Sequence, residues 1–397
     1  MAKTKEGGSL IIKLLVSIFI GIVVGLIVPE NLMVAIVSIK YFLGQIILFT
    51  IPLVIVGFIA PAIAELKSNA SRFMGVTVLL SYFSSVGAAA FAMISGYAII
   101  PHLSIASNVE NLRELPAAII ELSVPQIFSV MSALVLALML GIATANTKAE
   151  FFRNLLSEFQ KIVLYIVQNI VIPILPVFIA TTFAGLAYEG SITKQLPVFI
   201  EIILLVILGH FIWLTVLYTI GGIISGINPL NVVKHYGPAY MTAVGTMSSA
   251  ATLPVALRCI HKNEDIPRHI QDFVIPMCNT THLCGSVLTE SFFVMAVSKI
   301  IYGTLPPLSN MIPFIFLLAL FGVAAPGVPG GTVMASLGII TGVLGFDEAG
   351  VAMVLSIFAL QDSFGTACNV TGDAAIAMMV TGIAKKYMRD DVAENPQ

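Results

Sequence analysis

Near the C-terminus of this 397-residue chain, Asp362, Thr366, Asn369 and Asp373 stand at i, i+4, i+7 and i+11. That spacing puts all four on one stripe of a helix. Apolar runs flank them, Val351 to Leu360 and Ala374 to Val380, so the stripe sits inside a stretch suited to membrane depth. A charged residue there costs roughly 2.5–3.5 kcal/mol on insertion scales and normally faces a cavity with a partner. Two carboxylates and an amide exceed what packing between helices needs. The chemistry on offer is therefore solute or ion binding. Bond-making would need a nucleophile with an oriented base. Ser248 or Ser249 with His282 could be imagined as a dyad, but nothing in the sequence supplies an orienting third group.

The rest of the chain supplies the membrane. Hydrophobic residues make up 58% of it and charged residues 10%, with a mean hydropathy of +1.01. A soluble surface cannot be built from this composition, so the expected class is an all-α polytopic membrane protein whose first partner is the lipid bilayer. The apolar runs are continuous, which argues against a β-barrel. A net charge of −2 offers nucleic acid no basic footprint. The four cysteines form no CxxC pair, and Cys278, His282 and Cys284 fall short of the four closed ligands of structural zinc, so no metal cofactor is expected.

Six spans read directly: Leu10–Val28, Tyr41–Ala64, Phe73–Ile100, Ala117–Thr144, Ile162–Ala187 and Val198–Ile224. Pro173 and Pro176 predict a kink in the fifth. The N-terminal run is too long for a signal peptide and no cleavage site follows, so it reads as an uncleaved span. Two later apolar stretches are interrupted differently. Ala239–Leu257 carries Gly245-Thr246-Met247-Ser248-Ser249-Ala250-Ala251-Thr252-Leu253-Pro254 at its centre, and Ile312–Leu344 carries Pro326-Gly327-Val328-Pro329-Gly330-Gly331-Thr332. Each predicts a re-entrant pair of half-helices. After the first comes a span broken at Asn279 to Ser286, and after the second a span broken at Asn369 to Asp373. A hairpin plus an interrupted helix, twice over, is the pattern of an inverted-repeat secondary transporter. Half-helix N-termini offer N–H groups to an anion, and unwound carbonyls offer oxygens to a small cation. With both hairpins re-entrant and the termini cytoplasmic, most Lys and Arg residues fall inside. The short loops suit a prokaryotic cytoplasmic membrane.

These residues resemble the dicarboxylate/amino acid:cation symporters, the glutamate-transporter-like fold. Ser248-Ser249-Ala250-Ala251-Thr252-Leu253-Pro254 is similar to that family's first hairpin tip and Gly327-Val328-Pro329-Gly330-Gly331-Thr332 to its second. Asp362…Thr366…Asn369-Val370-Thr371-Gly372-Asp373 is similar to its eighth-helix signature. The resemblance implies eight transmembrane helices with two re-entrant hairpins, assembled as a homotrimer. Residues 10–66 and 116–190 would form a scaffold; 72–101 and 195–390 would form a transport domain moving as an elevator. It implies that Asp362 holds the α-amino group of an amino-acid substrate. Asn369, Thr366, Ser248, Ser249 and the tip residues Val328, Gly330 and Gly331 would serve the carboxylate end.

This chain departs from the family at two places. Acidic-substrate members carry an Arg where Gly365 stands, or at the first-hairpin position held here by Met247. Without a guanidinium a side-chain carboxylate has no bidentate partner, so the expected substrate is a neutral amino acid. The family's seventh-helix Asn-Met-Asp-Gly-Thr aligns with His282-Leu283-Cys284-Gly285-Ser286, replacing two sodium ligands by an imidazole and a thiol. Asp373, the Asn369 carbonyl, Thr280 and the Gly322, Val323 and Ala325 carbonyls remain for sodium. His282 and Glu290 are candidates for proton coupling. The expected coupling ion is Na+, H+ or both. An acidic amino acid or dicarboxylate symporter is the alternative, with a channel or intramembrane enzyme further off. Glutamate and aspartate should compete poorly with labelled neutral amino acids for uptake, and equal competition would remove the substrate assignment.

Overall fold

The computed structural model describes residues 4–68, 72–103, 113–119, 124–190, 192–325 and 330–387, which form helices and connections with no strand among them. Six helical runs among the described residues are long and apolar enough to cross a membrane: Glu30–Ala64, Met74–His102, Glu150–Glu189, Val198–Ser225, Arg268–Tyr302 and Glu348–Lys386. The first and fourth expected spans contribute only shorter described apolar segments, Val16–Ile27 and Ser132–Thr147.

The early helices are α1 (Thr4–Ile27), α2 (Glu30–Ser68), α3 (Arg72–Ile99) and α4 (Val130–Thr147). The expectation of a fourth span from Ala117 is corrected here. Residues 113–119 and 124–129 are irregular, and α4 begins only after Ser129, whose hydroxyl accepts the Ser132 N–H as an N-cap. Pro116 and Pro125 lack the N–H and the backbone freedom that a helix through this stretch requires. Next come α5 (Glu150–Ile166) and α6 (Ile172–Glu189), joined by a π turn over Val167–Val171. The irregularity expected from Pro173 thus takes the form of a wider turn, which accommodates the proline without ending the helix.

Helix α7 (Ile192–Ser225) and the short α8 (Pro229–Val233) lead to the first hairpin, α9 (Gly237–Thr246) and α10 (Ser249–Ile260). Its tip is Met247, in the left-handed region at φ +52°, followed by the N-cap Ser248. The broken span is α11 (Arg268–Thr281) and α12 (Cys284–Tyr302), with the break confined to His282 and Leu283. The second hairpin is α13 (Leu308–Ala324) and α14 (Gly331–Gly342). Gly330 caps α14 at φ +71°, a conformation that only a residue without Cβ adopts at no cost.

The last helix, α15 (Glu348–Tyr387), overturns the expectation of a second broken span. It is one helix of 40 residues running straight through Asn369 to Asp373. A single Gly372 costs about 1 kcal/mol of helix propensity, and no proline interrupts the ladder. The glycine is kept for packing instead. A Cβ there would stand 2.9 Å from His282 Cε1 and 3.1 Å from Cys284 Sγ.

Helices pack in two groups. α1 lies on α6, and α2 on α4, α5 and α6; α15 packs on α7, α9, α11 and α12, and α3 on α11, α12 and α13. The groups meet where α13 and α14 lie against α2, α14 against α4, α9 against α1 and α15 against α6. Gln45 bridges them, donating to Glu348 Oε1 at 2.5 Å and accepting from Val124 N at 3.1 Å. A crevice between them is lined by Leu48, Gln126, Ser129, Thr341, Phe346 and Glu348.

The α1–α6 contact depends on a small-residue pair four apart. A Cβ at Gly21 would lie 2.3 Å from the Ala180 carbonyl oxygen, and one at Gly25 2.2 Å from that of Ala184. Backbones approach this closely only over glycine. Gly25→Ala should destabilise the protein by about 1–3 kcal/mol. Gly75→Ala, where nothing lies within 4 Å, should instead gain about 0.5–1 kcal/mol. Thermal unfolding midpoints of the two variants in detergent check the opposite signs.

Candidate functional site

The stripe on α15 is wholly buried: Asp362, Thr366, Asn369 and Asp373 are each at most 4% exposed. At its N-terminal end, Asp362 Oδ2 accepts the Gly330 N–H at 2.7 Å. One turn on, the Thr366 hydroxyl donates to the same carboxylate. The acid therefore sits directly under the second hairpin tip, and Gly331 starts α14 beside it. Val328, the remaining tip residue expected to bind substrate, lies outside the described residues.

Gly365 faces the start of α12. A Cβ on it would lie 3.4–3.5 Å from Ser286 Cα, N and Oγ, which is ordinary contact distance. The reciprocal position is closed: a Cβ on Gly285 would come within 2.4 Å of the Gly365 carbonyl oxygen. α12 and α15 thus cross over two glycines, and the crossing brings the broken end of α12 against the stripe.

That end exposes unpaired N–H groups, as every helix start does. Asn369 satisfies them. Its Oδ1 accepts from Gly285 N at 2.7 Å and Ser286 N at 3.1 Å, and its Nδ2 donates to Ser286 Oγ at 2.9 Å. The residue expected to hold a substrate carboxylate is here a cap supplied from another helix, with one amide N–H left over.

The first hairpin tip approaches the same region. Ser249 is buried and its carbonyl accepts from Asn279 Nδ2 at 2.9 Å, while Ser248 Oγ accepts from Ala251 N at 3.2 Å. Thr246 and Thr252 hydroxyls meet at 3.2 Å behind it. Met247 is buried in its left-handed conformation.

Of the residues expected to serve cations, Thr280 is exposed at the end of α11 and its hydroxyl returns to the Met277 carbonyl at 3.0 Å. The Gly322 carbonyl accepts Ala325 N at 3.2 Å as α13 ends, with Val323 between. Glu290 is buried on α12 and accepts the Ser336 hydroxyl of α14; its Oε2 has no hydrogen-bond partner. His282 is fully buried, with Nδ1 3.0 Å from Asp373 Oδ1 and Nε2 2.8 Å from Ser84 Oγ on α3. In an unbroken α15 the Asn369 carbonyl belongs to the helical ladder.

One functional-site residue that sequence reasoning misses is His210 on α7. Its Nε2 lies 2.9 Å from Thr289 Oγ1 and 3.1 Å from the Gly285 carbonyl, bracing the first turns of α12. A histidine inside an apolar span is the signal that could have found it. Among the described residues no group of three or more His, Cys, Asp and Glu side chains is arranged to hold a metal ion.

The chain is similar to known transporters. The family model described as "Sodium:dicarboxylate symporter family" matches residues 10–383. Mouse excitatory amino acid transporter 2 is 27% identical over 243 residues, covering 59% of this chain and 42% of that protein. An excitatory amino acid transporter of Caenorhabditis elegans is 28% identical over 165 residues, 42% of this chain and 32% of that one. Human neutral amino acid transporter B(0) is 29% identical over 187 residues, 47% and 34% respectively. The chain therefore spans less than half the length of these curated relatives.

A cap made between two helices acts without any solute. Asn369→Ala should cost about 0.5–2 kcal/mol of stability in the absence of substrate, whereas Asn369→Asp keeps the acceptor oxygens and should lose less. A thermal midpoint for Asn369→Ala unchanged from the parent would assign the amide to substrate alone.

Proposed function

This chain belongs to the sodium:dicarboxylate symporter family, and on that premise we propose that it imports a neutral α-amino acid by an elevator movement driven by a cation gradient. Membership makes it an integral membrane symporter rather than an enzyme and implies sodium as the coupling ion. The substrate class, the movement and the assembly are our reading.

The observation that carries the substrate assignment is the absence of a cation able to meet a side-chain carboxylate. From Pro238 to Leu257 the first hairpin contains no Lys or Arg. From Thr281 to Ala384, a stretch holding the second hairpin and both site helices, there is no Arg and one Lys. That residue, Lys299, is engaged at the far end of α12, donating to the Gly303 carbonyl at 2.8 Å. Burying an unpaired carboxylate is expensive, so an acidic side chain has no place to go. An amino acid's own handle is better served. Asp362 matches an ammonium group with a charge-assisted bond, and the first turns of α10 and α14 present N–H groups to a carboxylate. The likeness to a neutral amino acid transporter supports this reading, and the likeness to excitatory ones leaves the acidic alternative in play.

The elevator reading is supported by the two helix groups. Residues 10–66 and 116–190 supply the scaffold; 72–101 and 195–390 supply the moving part. In the conformation described, α14 is buried from Gly331 to Ile340, wedged against α2 and α4, while α10 alternates buried and exposed residues. Both hairpins touch the scaffold, the second through α13 and α14 on α2 and α4 and the first through α9 on α1. Homotrimeric assembly and cytoplasmic termini complete the reading. Proton coupling through His282 and Glu290 is the second reading, supported by the burial of both against partners on neighbouring helices.

Uptake of labelled neutral amino acids into proteoliposomes, with sodium and proton gradients imposed separately, tests the proposal. Sodium-driven accumulation is expected, and Asp362→Asn should weaken substrate binding by about 2–5 kcal/mol. Accumulation of aspartate alone would overturn the substrate class, and accumulation under a proton gradient alone would install the second reading.

A further inference from the structure

The resemblance assigns sodium ligation to the seventh-helix break and to Asp373, and the structure allows a direct test of whether this chain's residues suit it. They do not. Where an amide and a carboxylate would supply hard oxygens, the chain has His282 and Cys284. The His282 ring is not turned aside. It is fully buried, spanning the gap between α15 and α3 by contacts to Asp373 Oδ1 at 3.0 Å and Ser84 Oγ at 2.8 Å. Gly372 marks how full the space is, since even one added carbon would press on His282 Cε1 and Cys284 Sγ. The remaining thiol lies 3.9 Å from the Cys368 carbonyl oxygen. The nearby Ser81 hydroxyl is 3.5 Å from Cys278 Sγ. Of the oxygens at this place, the imidazole engages one carboxylate oxygen and one hydroxyl. Asp373 Oδ2 has no hydrogen-bond partner; neither do the buried hydroxyls of Ser85 on α3, Thr371 on α15 and Tyr236 just before α9, none of them an amide or carboxylate oxygen of the motif. One free carboxylate oxygen, its twin held by an imidazole, with a thiol standing where the motif has its second acid, is a poor shell for a hard cation.

We infer that the position at Asp373 takes no sodium because the His282 side chain occupies the ion's place and satisfies the carboxylate in its stead. This rests on the sodium-symporter reading above. Sodium then acts through another position, such as the carbonyls of Thr280 and Gly322–Ala325, and fewer ions bind per cycle than a chain with the intact motif would carry. Cys284 follows from the same substitution: with a ring against Asp373, a carboxylate at residue 284 would have no ion to share.

The test is direct binding of radioactive sodium to the purified full-length protein, with no transport required. His282→Asn combined with Cys284→Asp restores the oxygen ligands. The double variant is expected to bind one more sodium per chain than the parent, and its half-saturating sodium concentration to fall by about tenfold or more. Adding Asp373→Asn to it should remove the gain. His282→Asn alone avoids a new buried acid and is expected to gain sodium affinity in the same direction. Gel filtration and the thermal midpoint establish that each variant is folded. The inference is overturned if a folded double variant matches the parent in stoichiometry and affinity, or if His282→Asn loses sodium affinity. A parent protein that accumulates no amino acid under any gradient would count against the proposed function, and the binding measurement would still decide this site.

Discussion

Backbone polar groups at membrane depth must find partners inside the protein, and the start of α12 is where this fold meets that demand most sharply. Two N–H groups at Gly285 and Ser286 are accepted by one side-chain oxygen of Asn369. For that oxygen to reach them, α12 and α15 must cross at a distance that a glycine at 285 permits, since a Cβ there would press on the Gly365 carbonyl. The same crossing sets Asp362 beneath the second hairpin and Asp373 opposite the break. His210 tightens it from the outside by reaching the Gly285 carbonyl from α7. The site is therefore a by-product of capping: the groups that could bind a solute are positioned by the interactions that make an interrupted helix tolerable.

Much of this is legible from residue types. The hairpins announce themselves because Ser248–Ser249 and Gly330–Gly331 sit in the middle of apolar runs, where a continuous helix would not place them. The broken seventh span is visible for the same reason, although the break is narrower than the polar stretch around it. The eighth span is where residue types mislead. Asn369-Val370-Thr371-Gly372-Asp373 looks like an interruption when each residue is judged by helix propensity. Tertiary contacts outweigh propensity here, because Gly372 makes room for His282 and the Thr371 carbonyl accepts the Tyr218 hydroxyl at 2.9 Å. No single-sequence pattern reveals that a weak helix former is weak for a neighbour's benefit.

The fourth span begins later than expected, at Val130, for the opposite reason. Its apolar content is sufficient, but Pro116 and Pro125 decide backbone conformation before hydrophobicity can act. Asn369 illustrates a third limit. Its presence on the stripe is clear, yet an amide serves a solute or a helix end equally well, and only the position of α12 selects between them. The small-residue seam of Gly21 and Gly25 against Ala180 and Ala184 carries no polar signal at all, so it surfaces only when the backbones are seen touching.

The unbroken last helix has a mechanical consequence. Forty residues at 1.5 Å each make a rod about 60 Å long, roughly twice the thickness of a bilayer's hydrocarbon core. Asp362, Asn369 and Asp373 stand on that rod at set heights, so their spacing holds for as long as the helix is intact. Whatever displaces one of them along the membrane normal displaces all three by the same amount. The helix is thus a keel that ties the hairpin tip, through Asp362, to the seventh-helix break, through Asp373, and sets the three polar positions on one shared axis.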